Sequence, residues 1–259
     1  MIIWAVFRVN HMVRFLTAHL FLSVLLVLNA GITLAQTPVG PDTKSGSANS
    51  SGLARMVFFV AEGEADACGP GCSQWIAAVG PIDSGTASSL RWKLNLLKDR
   101  KLPLYFFSRG GNGPAAMEIG RVLRKAGTIG GVGRTIVDGC PTLDERCQEL
   151  VQSGRPLRAK LDLIGGVCAS ACVLALAGAE KRHVDPRARI AVHRSISVKV
   201  LAPRGNVVED PNPTLMLQID RYLRDMGIDH RLYELMASTP NHSIRNLRPD
   251  EIERWITTR

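Results

Sequence analysis

The chain has 259 residues, 46% of them hydrophobic and 21% charged, with a formal net charge of +9. That length and apolar content exclude a disordered or fibrous chain and allow one domain with a substantial core. The basic residues are scattered rather than gathered in a stripe, and aromatics make up only 5%, which argues against a nucleic-acid partner.

Arg8 and Arg14 precede an apolar run at 20–28, LFLSVLLVL, and Thr33-Leu34-Ala35 follows with small residues where a signal cleavage site needs them. Residues 1–35 are therefore expected to be a signal peptide. An uncleaved anchor is the weaker reading, because the run falls short of the ~20 apolar residues of a membrane span. Export to the periplasm or medium follows, with no membrane association after cleavage. Residues 36–53 (QTPVGPDTKSGSANSSGL) are rich in Gly, Ser and Pro and are expected to be a flexible linker to a domain at 54–259.

Within the domain, 56–61 and 75–80 are apolar runs of buried-strand length, and 84–98 has helical spacing with Leu90, Leu94 and Leu97 on one face. A strand at 102–108, a glycine turn and a helix at 114–125 with Met117, Val122 and Leu123 inside come next. Strands are expected again at 134–137, 161–164 and 189–193, with a strongly apolar, buried helix at 169–179. A long helix over 215–236, interrupted at Gly227, and a short one from Pro249 end the chain. Strands alternating with helices imply an α/β fold with a largely parallel sheet covered on both faces.

Six cysteines, at 68, 72, 140, 147, 168 and 172, permit three disulfides in an exported chain. Sequence leaves the pairing open. Cys68 and Cys72 suggest a small closed loop, whereas a bridge from Cys168 or Cys172 to the 140–147 loop would pin that loop beside Ser170. A direct Cys168–Cys172 bridge inside a helix would strain the turn. The histidines lack ligand spacing beside these cysteines, so no metal and no cofactor is expected.

Two glycine turns are candidates for chemistry. Ser108-Arg109-Gly110-Gly111-Asn112-Gly113 follows a strand, and its backbone N–H groups can cradle an oxyanion or simply connect strand to helix. No Lys-Ser/Thr pair follows, so it is not a P-loop. In Gly165-Gly166-Val167-Cys168-Ala169-Ser170-Ala171-Cys172, Ser170 sits where a strand gives way to a buried helix, as a displayed nucleophile or as a helix cap.

The segment from Ser170 to His193, SACVLALAGAEKRHVDPRARIAVH, resembles the stretch between the nucleophilic serine and the catalytic histidine of the Clp protease proteolytic subunit. The matching residues are Ala169-Ser170, Ala177-Gly178-Ala179, Lys181-Arg182, Pro186-Arg187-Ala188-Arg189 and His193. Ser108-Arg109-Gly110-Gly111 resembles that family's Ser-Pro-Gly-Gly turn, and 82–86, 234–237 and 247–256 are similar to its first crossover, helix and tail. The chain also resembles exported Clp-like proteins that carry a Cys-Ala-Ser-Ala-Cys turn. The resemblance implies a ClpP/crotonase-like α/β fold of repeated β-β-α units with C-terminal helices, and self-association. It also implies Ser170 as nucleophile, His193 as general base, and the N–H groups of Gly110 and Ala171 as oxyanion hole.

The function so implied is a serine hydrolase, peptidase or esterase, acting on a peptide or acyl substrate. The family's third member, an Asp, is due near 241–245 (NHSIR), which holds no carboxylate. Asn241, His242, Asn246 or the acids Glu209 and Asp210 are the candidates to orient His193 instead. The alternative function is a catalytically inactive module that binds peptide or protein in the same groove, and a crotonase-type acyl-transfer site ranks last.

Overall fold

Each central strand is buried on both faces, which is why it reads as an unbroken apolar run rather than an alternating one. In β1 (Val57–Glu62) Phe58 and Val60 enter one core while Phe59 and Ala61 enter the other. In β2 (Gln74–Val79) Ile76 and Ala78 oppose Trp75, Ala77 and Val79, and in β3 (Leu104–Phe107) Leu104 and Phe106 oppose Tyr105. The computed structural model describes residues 53–144, 147–201 and 206–258, with 198–201 and 206–211 described by backbone alone. The expected signal peptide and all of the expected linker but Leu53 lie outside them. No helix among the described residues is long and apolar enough to cross a membrane.

The remaining elements in order are α1 (Thr86–Leu97), α2 (Gly113–Ala126), β4 (Ile129–Val132), β5 (Arg134–Val137), α3 (Gln148–Gln152), β6 (Leu157–Asp162), β7 (Val167–Ala169) and α4 (Ala171–Ala177). There follow β8 (Lys181–His183), β9 (Arg189–Val192), β10 (Ile196–Leu201), β11 (Asn206–Pro211), α5 (Pro213–Asp225), α6 (His230–Ser238), β12 (Arg245–Asn246), α7 (Pro249–Glu251) and a π-turn at Ile252–Ile256. The main sheet has seven strands in the order β5-β6-β1-β2-β3-β4-β8. The β1–β2 and β5–β6 pairs are antiparallel and every other neighbour is parallel, so the fold is α/β with a mostly parallel sheet. A second sheet, β12-β9-β7, stands beside it.

Several expected elements differ in extent. The strand expected at 161–164 runs from Leu157 to Asp162, because Leu157 and Ala159 are buried while Arg158 and Lys160 face out. The C-terminal helix is split into α5 and α6 around Gly227, at φ 68°, as its interruption there required. Strands β10 and β11 pair antiparallel, Ile196 opposite Pro211 and Leu201 opposite Asn206.

The larger core lies between the main sheet and α1, α2, α4 and α5. The smaller one, on the other face, holds Phe59, Trp75, Tyr105, Cys140 and Cys147, and the Trp75 indole donates to Thr135 Oγ1 at 2.9 Å. All six cysteines pair locally, as Cys68–Cys72, Cys140–Cys147 and Cys168–Cys172, with Cα separations of 5.1, 6.1 and 5.2 Å. The 140–147 loop is thus closed on itself over the smaller core and is not tied to the Ser170 turn.

Helices α2 and α4 approach most closely where Gly120 meets Gly178. A methyl group on Gly178 would collide with the Gly120 backbone, which has no soft side chain to yield. Around this contact Tyr222 donates to Leu174 O at 2.8 Å, and Arg124 Nε donates to Gly178 O at 3.1 Å. Arg182 is buried with carbonyl partners rather than a carboxylate, donating to Ala177, Ala179 and Ile256 oxygens at 2.7–3.1 Å. Its burial lowers the guanidinium pKa to about 10. Gly178→Ala is expected to cost about 3 kcal/mol by overpacking against backbone. Urea unfolding checks this as a fall in midpoint at unchanged slope.

Candidate active site

The serine turn is held at the junction of both sheets. Ser108, one residue past β3, bridges to Cys168 in β7: Ser108 N–H donates to Val167 O at 2.8 Å, and Ala169 N–H to Ser108 O at 3.0 Å. On the other side β7 pairs in parallel with β9, aligning Ala169 with Ala191. The chain must then turn from strand into helix α4, and Ser170 makes that turn at φ 56°, ψ −126°. Such a conformation in a non-glycine residue costs of order 1–3 kcal/mol and persists only where its surroundings impose it. They do so here: Ser170 N–H donates to Ala191 O at 2.8 Å, and the fully buried Cys168–Cys172 bridge spans the turn from strand end to first helical turn. The bridge therefore clamps the junction rather than lying within a helix. A serine on a strained strand-to-helix turn has its hydroxyl displayed outward.

Ser170 occupies the N-cap position of α4, yet its side chain makes no cap bond. Its Oγ lies 2.7 Å from His193 Nε2. His193 follows β9 directly, so the β7–β9 pairing brings the two residues together across 23 positions of sequence. The other ring nitrogen, Nδ1, is 3.1 Å from Arg194 O. A carbonyl only accepts, so Nδ1 carries the hydrogen and the Nε2 lone pair is left to receive the Ser170 hydroxyl. Half-burial of the ring lowers the His193 pKa below its ordinary value, partly opposed by the Arg194 carbonyl bond, and this favours the neutral imidazole.

The expected orienting groups fall as follows. Strand β12 pairs with β9, so the 241–244 segment passes beside His193, but the Nδ1 contact is the Arg194 carbonyl. Glu209 and Asp210 belong to β11, in the part of the chain described by backbone alone. The Arg194 carbonyl left no trace in the sequence, since every residue type carries the same group.

The glycine turn sits against the serine. Gly110 is buried at φ 103°, and a Cβ there would lie 2.7 Å from Ala169 O, 2.8 Å from Ser170 Cβ and 2.9 Å from Ala171 N. Only glycine permits that approach. The Gly110 N–H donates to Ser108 Oγ at 3.1 Å, and its carbonyl accepts from Ile82 N–H at 2.8 Å. Gly111 is exposed, and the bridge it forms with Ile82 is closed by the Gly110 carbonyl and the Asn112 N–H, neither of which is its own amide. Ala171 is the first residue of α4, a position whose N–H has no acceptor within the helix. Helix α2 begins on the same side, where Asn112 Oδ1 accepts from Ala115 N–H at 2.8 Å and Pro114 fixes the first turn.

A cleft of about 780 Å³ opens over these groups. Gly111, Ser170, Ala171 and His193 line it, with Ser195, Ser197, Asn212, Thr214 and Gln218 supplying neutral polar groups and Pro114, Ile196 and Leu215 apolar ones. Asn212 joins two of its walls, donating to Ser197 Oγ at 2.7 Å while its Oδ1 caps α5 at Leu215 N–H, 2.9 Å away.

No family model matches the chain, and no curated protein matches it. Among solved structures it is similar to two variants of the 1510-N membrane-bound stomatin-specific protease. The first is 15% identical, with a TM-score of 0.45 over 69% of this chain and 73% of that one. The second, in complex with a substrate peptide, is 17% identical, with a TM-score of 0.44 over 69% of each.

Proposed function

We propose that the chain is a serine hydrolase of peptidase or esterase type, with Ser170 as nucleophile and His193 as its general base. The observation that carries the reading is the 2.7 Å contact between Ser170 Oγ and an imidazole nitrogen that must be the acceptor, on a serine held in a strained turn and lining an open cleft. In the acylation step the Ser170 hydroxyl proton passes to Nε2 as Oγ bonds to the substrate carbonyl carbon. The leaving amine or alcohol takes that proton, and water then cleaves the acyl–serine ester by the same base. The oxyanion is received by the Ala171 N–H and the 110–111 turn. With the Gly110 N–H engaged by Ser108 Oγ, that donor reaches an oxyanion only by releasing the hydroxyl, and the exposed Gly111 amide is its neighbour at the cleft.

The substrate is a peptide or acyl compound entering a cleft that sets apolar Pro114, Ile196 and Leu215 beside neutral polar groups. Three disulfides support an oxidising compartment; export by the signal peptide expected at 1–35 belongs to the same proposal. Self-association belongs to the same reading. One observation favours the second reading, a peptide-binding module without turnover: among the described residues the partner of His193 Nδ1 is a carbonyl, not a carboxylate.

The test is turnover of an activated p-nitrophenyl ester and of a mixture of unstructured peptides, with Ser170→Ala as control. Hydrolysis lost in the variant supports the hydrolase. Peptide binding without turnover, unchanged by Ser170→Ala, supports the binding module.

A further inference from the structure

An imidazole acting as base needs its far nitrogen held in one tautomer and one orientation, a task that usually falls to a carboxylate. Here the group at Nδ1 is the Arg194 carbonyl, 3.1 Å away, and a peptide carbonyl is only as fixed as the peptide plane that carries it. The Cα from which that plane hangs is gripped from the far side, through the preceding peptide and through the side chain. Arg194 N–H donates to Thr239 O at 2.9 Å, and the Arg194 side chain reaches the same helix end, its Nε donating to Ala237 O at 2.9 Å. Both acceptors lie at the C-terminus of α6, where unpaired carbonyls and the helix dipole favour a cation. The receiving end is itself fixed, since Thr239 donates to Leu235 O through both its N–H, at 3.1 Å, and its hydroxyl, at 2.7 Å.

We propose that Arg194 is a positioning residue for the His193 base, its side chain docking on the α6 C-terminus and so holding its own carbonyl at His193 Nδ1 in the place where a carboxylate would otherwise stand. The proposal deepens the hydrolase reading and rests on it for its catalytic consequence, although the orientation of the ring can be read without any substrate. A neutral carbonyl fixes the tautomer but stabilises imidazolium less than a carboxylate does, so the site trades basicity for geometry. Arg194 is exposed and its Nε bonds to Ala237 O on α6, so removing the side chain removes neither of the reacting groups.

Arg194→Ala and Arg194→Lys are compared with the wild-type chain by two readouts. The first is the second-order rate of Ser170 phosphonylation by a fluorophosphonate. The second is the His193 tautomer, read by long-range proton–nitrogen NMR correlation of the ring. Arg194→Ala is expected to slow phosphonylation about tenfold and to lose the single Nδ1–H tautomer, with Arg194→Lys recovering part of both. Thermal unfolding of all three within a few degrees separates positioning from a general loss of structure. An unchanged rate and an unchanged tautomer in Arg194→Ala overturn the proposal. A wild-type chain that does not react at Ser170 sinks the hydrolase reading instead, while the NMR comparison still decides whether Arg194 orients the ring.

Discussion

Replacing His193 by glutamine is expected to slow the reaction of Ser170 with a fluorophosphonate or an activated ester by about 10²–10⁴-fold, the usual contribution of a positioned general base. Glutamine can hydrogen-bond the Ser170 hydroxyl but cannot take its proton, so the serine reverts to an ordinary alcohol. The pH dependence carries a second, independent signature. Burial lowers the His193 pKa from its ordinary value, so the wild-type rate is expected to fall only once pH drops below about 6.5, with an apparent pKa under that of a free imidazole. In His193→Gln this acid limb should vanish.

The same shift has a stability consequence of definite sign. A histidine whose folded pKa is depressed contributes stability above its unfolded pKa and loses it as pH falls through the folded value. Unfolding measured alongside the rates between about pH 4 and about pH 8 therefore separates loss of base from loss of structure.

Gly110→Ala is expected to damage the fold and the site together. The residue sits at φ 103°, where an L side chain is strained, and the added methyl would press on Ala169 O, Ser170 Cβ and the Ala171 amide. These neighbours belong to the Ser170 turn, clamped by the Cys168–Cys172 bridge and by the bond from Ser170 N–H to Ala191 O, so they have little room to yield. A loss of about 2–5 kcal/mol in unfolding free energy is expected, from backbone strain and overpacking combined. In whatever fraction folds, displacement of Ser170 should lower its reactivity by about 10²-fold. Gly154→Ala is the control: Gly154 also has a positive φ, of 73°, but nothing lies within 4 Å of where its methyl would stand, so strain acts without a clash. It should lower stability by about 1 kcal/mol and leave Ser170 reactivity untouched.

The central strands were legible because burial on both faces removes every polar residue, and 56–61 and 75–80 offered nothing else to read. Helix α2 was legible from the apolar Met117, Val122 and Leu123 after a glycine turn, and the structure adds its Asn112 cap and its left-handed stop at Gly127. Other strands hid for physical reasons. In β4, Gly130 and Gly131 depress strand propensity, yet a side chain at either would collide with Ala179 or the Tyr105 ring, so packing required what propensity disfavours. In β8, Lys181 and His183 are exposed on an edge strand, where charge is common and apolar pattern weak. In β6 the arginine and lysine interleaved with Leu157 and Ala159 masked a one-faced alternation.

The site divides in the same way. Ser170 and His193 were singled out by resemblance to the Clp subunit, since no local pattern links residues that only the β7–β9 pairing brings together. A third side chain was expected over 241–246 or at Glu209 and Asp210, the last two outside the described side chains; the contact given at Nδ1 is a main-chain carbonyl, which has no signature in sequence. The cysteine spacings admitted the local pairs but did not select them over a bridge to the 140–147 loop.

The most direct measurement is peptide mapping by mass spectrometry after treating the folded, disulfide-intact chain with a fluorophosphonate. One adduct per chain, on Ser170, formed more slowly in His193→Gln, is the result predicted by a neutral imidazole accepting the serine proton in an open cleft. A folded chain with no adduct at Ser170, or one modified there equally fast in His193→Gln, would contradict it.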